Sequence, residues 1–156
     1  MAKEIERKYL VKSDTWKRCS LLKKVNIQQG YISKVGQHQV RIRVMDEEAT
    51  LTIKGPKRGL SRDEFEYPVP VKDGQQLIKM SSTPIILKTR YYVRDEAQQV
   101  WDVDVYKGVN RGLVVAEIEL ATEKQSIKLP SWIGREVTHD KRYTNLHIVE
   151  HKVPKR

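Results

Sequence analysis

Glu4-Ile5-Glu6-Arg7-Lys8 sets two carboxylates and an ammonium at every second position. Successive side chains of a strand point to opposite faces, so Glu4, Glu6 and Lys8 share a face when the segment is extended. The arrangement recurs along the chain. Arg41 and Arg43 alternate with Val40, Ile42 and Val44, and Thr52 goes with Lys54. Arg62, Glu64 and Glu66 form a third set, Lys88 and Arg90 a fourth. Asp102 and Asp104 lie opposite Trp101, Val103 and Val105, and Glu117 goes with Glu119. An antiparallel sheet commonly has one wet face, where charges do nothing specific. Such a face mixes Thr, Ser, Gln, Lys and Glu, whereas these sets come as pairs of one sign. Like charges two apart on one face repel, and more strongly where the face is enclosed. Their repetition implies something of opposite charge seated between them. Carboxylate pairs suit a hard divalent cation such as Mg²⁺, which also takes phosphate oxygens. Arg and Lys pairs suit the remaining oxygens of a polyanion, Arg often bidentately.

The elements that position these residues read mainly as short strands, α+β with few helices. Alternating runs recur between Gly and Pro positions, giving seven or eight antiparallel strands. Ser13-Asp14 begins a short helix bearing Trp16 and Leu21-Leu22, and Asp73 caps another containing Leu77, Ile78 and Met80. Further turns of helix fall near 122–126 and 138–143. Trp101, Phe65 and Tyr67 alternate with the charged sets and belong to a packed face. If about eight strands close into a barrel, the charges line a cavity.

The shared face carries seven basic residues against eight acidic ones, while the whole chain of 156 residues has a net charge of +10. The excess therefore sits elsewhere, which weakens a simple basic patch. One domain over 1–156 is expected, with a basic, frayed tail from about 149. No run approaches the ~18 apolar residues of a membrane span. The start of the chain is charged where a signal peptide is apolar. The lone Cys19 excludes a disulfide framework or a Cys-rich zinc site. A cytoplasmic protein with an anionic partner is expected. His38, His139, His147 and His151 lack zinc-ligand spacing, and the 55–59 segment lacks that of a phosphate loop.

The opening Glu-x-Glu-x-Lys resembles the start of the CYTH domain, or triphosphate tunnel metalloenzyme, family. Gln29-Gly30-Tyr31, Arg41-Ile42-Arg43, Thr52-Ile53-Lys54-Gly55, Arg62-Asp63-Glu64-Phe65-Glu66, Lys88-Thr89-Arg90-Tyr91, Asp102-Val103-Asp104, Glu117-Ile118-Glu119 and Asp140-Lys141-Arg142-Tyr143 follow in the family's order. The resemblance runs from residue 3 to about 148 and is to the short single-domain bacterial type. It implies a closed eight-stranded antiparallel β-barrel forming a charged tunnel, with a few short helices outside. It also implies hydrolysis of inorganic tripolyphosphate with Mg²⁺ or Mn²⁺. Glu4, Glu6, Glu117 and Glu119 resemble the metal-binding carboxylates, with Asp104 as helper. Arg41, Arg43, Lys54, Lys88 and Arg90 resemble the phosphate-binding set, joined by Arg62 and Lys141. Lys8 resembles the tunnel lysine near the scissile bond, so that Lys8, Glu6 and Glu119 carry the catalytic role. Glu64 and Glu66 hold basic residues or orient water, and Tyr31 matches a family tyrosine near the tunnel mouth with no assigned role. The partner expected is a small-molecule triphosphate, with no specific nucleic acid, no membrane, and a monomer or homodimer. Alternatives are a sibling activity (thiamine triphosphatase, nucleoside triphosphatase or class IV adenylate cyclase) and a polyphosphate- or nucleic-acid-binding module.

Overall fold

A computed structural model describes residues 3–156; Met1 and Ala2, part of the charged start, lie outside it. Nine antiparallel strands alternate with two short α-helices: β1 Lys3–Val11, β2 Ser20–Val35, β3 His38–Met45, β4 Glu48–Arg58, β5 Ser61–Val69, α1 Val71–Ile78, β6 Ile86–Arg94, β7 Val100–Tyr106, β8 Val114–Glu119, β9 Ile133–Glu136 and α2 Asn145–Glu150. All strands join one sheet, in the order β5-β4-β3-β2-β6-β7-β8-β1-β9. A further β1–β5 pairing, through Lys3, Glu4 and Ile5, closes the first eight strands into a barrel. β9 is the extra strand, laid along the far end of β1 beside Tyr9 and Val11. Closure leaves these eight strands without the unpaired edges that invite aggregation.

Tight hairpins make the β2–β5 meander. Gly36 turns β2 into β3 at φ +58°, a left-handed conformation that a residue with a Cβ adopts only at a cost. The register then puts each charged set on the inner surface. Lys8 faces Glu117, Glu6 faces Glu119, Arg43 faces Gln29, Lys54 faces Glu64, and Arg90 faces Asp104. Directly opposed residues share a face, so the alternation read from each strand becomes one continuous wall.

The apolar rows face outward and are covered by loops. Tyr9, Trp16, Val93, Trp101, Val103, Ala116, Ile118, Trp132 and Ile133 form one cluster. α1 packs over Ile42, Val44 and Ala49 through Ile78. A third cluster fills one end of the barrel: inward-facing Leu10, Tyr31, Tyr106 and Val115 meet Tyr143, Ile148, Val149 and Val153 from α2 and the chain after it.

Several local expectations are corrected. Ser13 caps as expected, but only a 3-10 turn over Asp14–Arg18 follows, and Leu21 and Leu22 begin β2. Pro70 occupies the N-cap of α1, Asp73 sits in its first turn, and Met80 lies beyond its end. A preset φ makes Pro70 a natural entry to the helix. Residues 138–143 hold a 3-10 turn, Lys141–Tyr143. Phe65 and Tyr67 are 36% and 52% exposed, because no loop or helix covers that side of β5. The tail is docked, not frayed. Asn110 donates to Ile148 O at 2.6 Å and His151 O at 2.7 Å and accepts from Val153 N at 2.9 Å, while the Tyr143 hydroxyl donates to Pro154 O. Among the described residues no helix is long and apolar enough to cross a membrane.

Candidate active site

The barrel encloses a cavity of about 530 Å³. Glu4, Glu6 and Lys8 of β1, Arg41 and Arg43 of β3, Lys54 of β4, Arg62, Glu64 and Glu66 of β5, Arg90 of β6, Asp102 of β7, and Glu117 and Glu119 of β8 all line it. Thr144, Asn145 and Leu146, at the start of α2, close one end. The other end meets solvent at Lys3, Glu66 and Glu119, which are exposed.

The carboxylates gather on β1 and β8. Glu6 and Glu117 lie close enough for their carboxyls to interact. Burial pushes the Glu6 carboxyl well above the usual carboxylate range, and Glu117 and Glu4 add to the shift. Burial also opposes charge on Glu117, but Lys8 and the interaction with Glu6 outweigh it and hold that carboxyl well below its usual value. The two carboxyls are thus driven in opposite directions, as interacting acids are. Lys8 lies 3.8 Å from Glu117 and donates to Tyr143 O at 3.1 Å. Burial works against its charge, yet Glu117 and Glu6 raise its pKa, so Lys8 stays cationic. Glu4 accepts from Lys54 at 3.0 Å, and Lys54 also meets Glu64 at 3.1 Å.

Arg41 and Arg43 differ from these cations. Arg41 is 4% exposed, donates to Thr52 Oγ1 at 3.2 Å, and leaves its buried Nε without a partner. Arg43 donates to Gln29 Oε1 at 2.8 Å. Neither has a carboxylate within ion-pair distance among the described residues. Burial, with Arg41 and Arg90 nearby, pushes Arg43 down to about 10, still cationic at neutral pH.

Three expected site residues stand apart. Asp104 is fully buried and bonded at 2.7 Å to both Lys88 Nζ and Arg90 Nε. Lys88 lies beneath the cavity wall, its side chain 0% exposed. Burial outweighs Asp104 and lowers Lys88 to about 7, whereas Arg90 is raised well above its usual value despite burial, chiefly by Asp104. Lys141 is exposed on the 3-10 turn before α2, outside the cavity lining. Arg62 lines the cavity, but its Nε and Nη2 are taken by Gly55 O and Gln37 O. Lys57, in contrast, lines the cavity although strict alternation from Lys54 would turn it outward. A register shift between Lys54 and Lys57 reverses the parity. The Gly55-Pro56 pair was the signal for that irregularity, since proline cannot continue the ladder.

Among the described residues, no three carboxylate, imidazole or thiolate groups are already gathered as a metal cage. The donor set fits a hard divalent cation all the same. Glu6 and Glu117 interact closely in the cavity lining, and hard cations take such paired carboxylate oxygens.

Residues 2–149 match the CYTH domain family. The inorganic triphosphatase of Acetivibrio thermocellus is 44% identical over 151 residues, covering 96% of this chain and 95% of that protein. The inorganic triphosphatase of Nitrosomonas europaea is 34% identical over 145 residues, covering 91% and 93%. The crystal structure of the inorganic triphosphatase NE1496 superposes with a TM-score of 0.68 at 30% identity, over 96% of this chain and 95% of that one. A family match across nearly the whole sequence and two relatives of almost equal length agree with the charged barrel: the chain belongs to the CYTH domain family.

Proposed function

We propose that this protein hydrolyses inorganic tripolyphosphate to pyrophosphate and phosphate with the help of Mg²⁺ or Mn²⁺. The observation that carries the reading is the Arg41–Arg43 pair, enclosed in a barrel with no carboxylate partner among the described residues and one orphaned Nε. Unpaired buried charge costs several kcal/mol, and a polyanion between these strands removes that cost. Relatives named inorganic triphosphatase at 44% and 34% identity support the same substrate class.

The substrate enters from the solvent-facing end, because α2 stops the other. Arg41, Arg43 and Arg90 bind its phosphoryl oxygens, with Lys54 released toward it from Glu4 and Glu64. Glu4, Glu6, Glu117 and Glu119 would hold the divalent cation, which would supply charge neutralisation and make the attacking water more acidic. A water oxygen bonds to a terminal phosphorus as the bridging P–O bond breaks, giving phosphate and pyrophosphate, and the water's proton passes to a product oxygen or to solvent. Lys8, cationic beside Glu117, stabilises charge on the oxygen that leaves and is not a base. Asp104 is engaged by Lys88 and Arg90, so its role is to orient Arg90. Lys88 supports from below, and Lys141 has no contact role. Phosphoryl transfer asks little covalent work of a protein, and positioning and charge carry most of the acceleration. The single free cysteine suits a reducing, cytoplasmic setting.

The test is phosphate release from tripolyphosphate, pyrophosphate, thiamine triphosphate, ATP and GTP, each with Mg²⁺ and with EDTA. Tripolyphosphate should be turned over fastest, pyrophosphate poorly, and nothing in EDTA. A clear preference for one organic triphosphate would move the assignment to that substrate, and turnover in EDTA would refute the metal-assisted chemistry.

A further inference from the structure

We propose that Lys57 is a further substrate-binding residue: a bulge in β4, braced by Arg62 and Gln37, turns its ammonium into the cavity to hold the phosphoryl group that lies beside Lys8. The proposal rests on the triphosphatase reading and adds to it a contact that strand alternation does not supply.

The bulge comes first. Lys54 pairs with Glu64 and Lys57 with Arg62, so Gly55 and Pro56 stand opposite the single Asp63. One extra residue on a strand reverses the parity of every residue after it. Pro56 has no N–H to give to the ladder. The Gly55 carbonyl accepts instead from the Arg62 side chain, from Nε at 3.0 Å and from Nη2 at 2.6 Å. Arg62 Nη2 also donates to Gln37 O at 3.0 Å, and the Gln37 side chain accepts from Lys57 N at 3.0 Å. Arg62 and the tip of the β2–β3 hairpin thus clamp the bulge together. With Nε and Nη2 committed to backbone carbonyls, Arg62 acts as a positioning residue, and the charge it delivers to the cavity is that of Lys57.

The ammonium then has somewhere to act. Lys57 lines the cavity, and its Nζ donates to Thr138 O at 3.3 Å. Lys8 reaches the same stretch of chain, its N donating to Thr138 Oγ1 at 3.0 Å and its Nζ to Tyr143 O at 3.1 Å. That stretch leads into α2, so both lysines stand toward the closed end. An ammonium has three N–H donors, and one carbonyl uses only one of them. Among the described residues no carboxylate lies within ion-pair distance of Lys57. The residue is exposed overall, yet burial of its tip lowers its pKa, Lys8 adds to that, and Glu6 acts against both. Two neighbouring cations with donors to spare repel a metal ion and favour an anion between them. A phosphoryl group fits, because it carries several unshared oxygens on one centre and accepts strong charge-assisted hydrogen bonds.

The experiment compares wild type with Lys57→Met, which keeps an unbranched side chain without its charge, and Lys57→Arg, which keeps charge and donors. It measures kcat and KM for tripolyphosphate with Mg²⁺, affinity by calorimetry with Ca²⁺ instead, and melting temperature. Lys57→Met should raise KM and weaken affinity by about tenfold, equivalent to about 1.4 kcal/mol. Its kcat should stay within about threefold, the split expected of a contact made equally in the ground and transition states. Its melting temperature should stay within a few degrees, and Lys57→Arg should restore KM and affinity to within about threefold of wild type. Arg62→Met should also raise KM, but in the Lys57→Met background it should add less than about twofold. If Arg62→Met does not fold, Gln37→Leu, at the exposed hairpin tip, takes its place in the same cycle. Unchanged KM and affinity in Lys57→Met would overturn the proposal. So would a loss that Lys57→Arg does not restore, or a Lys57→Met protein that melts far lower or does not fold, because the bond to Thr138 O would then be the whole role of Lys57. An undiminished effect of Arg62→Met without Lys57 would overturn the bracing role. Wild type that neither binds nor hydrolyses tripolyphosphate would refute the triphosphatase reading, and the proposal with it.

Discussion

Glu6 and Glu117 illustrate how a buried site is built to want a cation. Burial opposes charge on both carboxyls, and Lys8 beside Glu117 offsets it there. Glu6→Gln keeps the shape and removes one of two carboxyls whose charges burial and mutual repulsion oppose. The variant should lose most tripolyphosphate turnover while melting no lower than wild type, a combination read by parallel kinetics and thermal unfolding. Arg41 and Arg43 are the converse case, cations awaiting an anion. Arg41→Ala with Arg43→Ala should reduce kcat/KM for tripolyphosphate by at least about tenfold, or ~1.4 kcal/mol. Weak binding to nucleic acid, if any, should survive the change, because the outer lysines would carry it. Normal turnover together with lost RNA or DNA binding would favour the binding-module alternative.

At the scale of elements, two small anchors decide whether the barrel is held in shape. Asn110 ties the chain after α2 to the turn before β8 with three hydrogen bonds while 1% exposed. Asn110→Ala strands two carbonyls and an amide, and should cost about 2 kcal/mol or more. In a chain of this size that lowers the melting temperature by roughly 4–8 °C. Asp95 anchors the β6–β7 turn through Gln99 N at 2.9 Å, Gln99 Nε2 at 2.8 Å and Trp101 Nε1 at 2.8 Å. Burial alone would raise its pKa, but these bonds outweigh it and hold the carboxyl below the usual carboxylate range. A carboxylate with a depressed folded pKa stabilises above its unfolded value, and that stability is lost as pH falls through the folded one. Asp95→Asn should therefore be less stable than wild type at pH 7, by about 1–2 kcal/mol. The gap should narrow below about pH 4; melts at pH 7 and pH 3 that show a constant gap would refute the assignment.

For the whole molecule, the barrel trades stability for a charged interior. A ligand that binds only the folded state returns some of it, about 2.7 kcal/mol at a concentration 100 times its Kd. Tripolyphosphate with Ca²⁺, which should turn over poorly, is expected to raise the melting temperature more than either alone. A strictly additive shift would argue against a shared metal–phosphate site.

How much of this was written in the sequence follows from geometry. Period-two alternation is a local property, so Glu4, Glu6, Arg41, Arg43, Lys54, Arg90, Glu117 and Glu119 could each be assigned to the charged side of a strand without knowing its neighbours. The order of the motifs then carried the family, and with it the barrel. What alternation cannot carry is register, depth along the barrel axis, or what covers the outside. Lys88 and Arg90 have the same parity, yet only Arg90 reaches the cavity, because Asp104 fixes Lys88 beneath it. Lys57 has the wrong parity and lines the cavity, because a register shift precedes it. Phe65 and Tyr67 read as core and are half open, because burial depends on whether another element packs over them. The tail read as frayed from its charge, but Val153 and a distant Asn110 hold it down. Side-chain type and spacing determined which groups could meet a metal and a polyphosphate. Strand pairing and end-closure, which depend on residues far apart in the chain, decided which of them do.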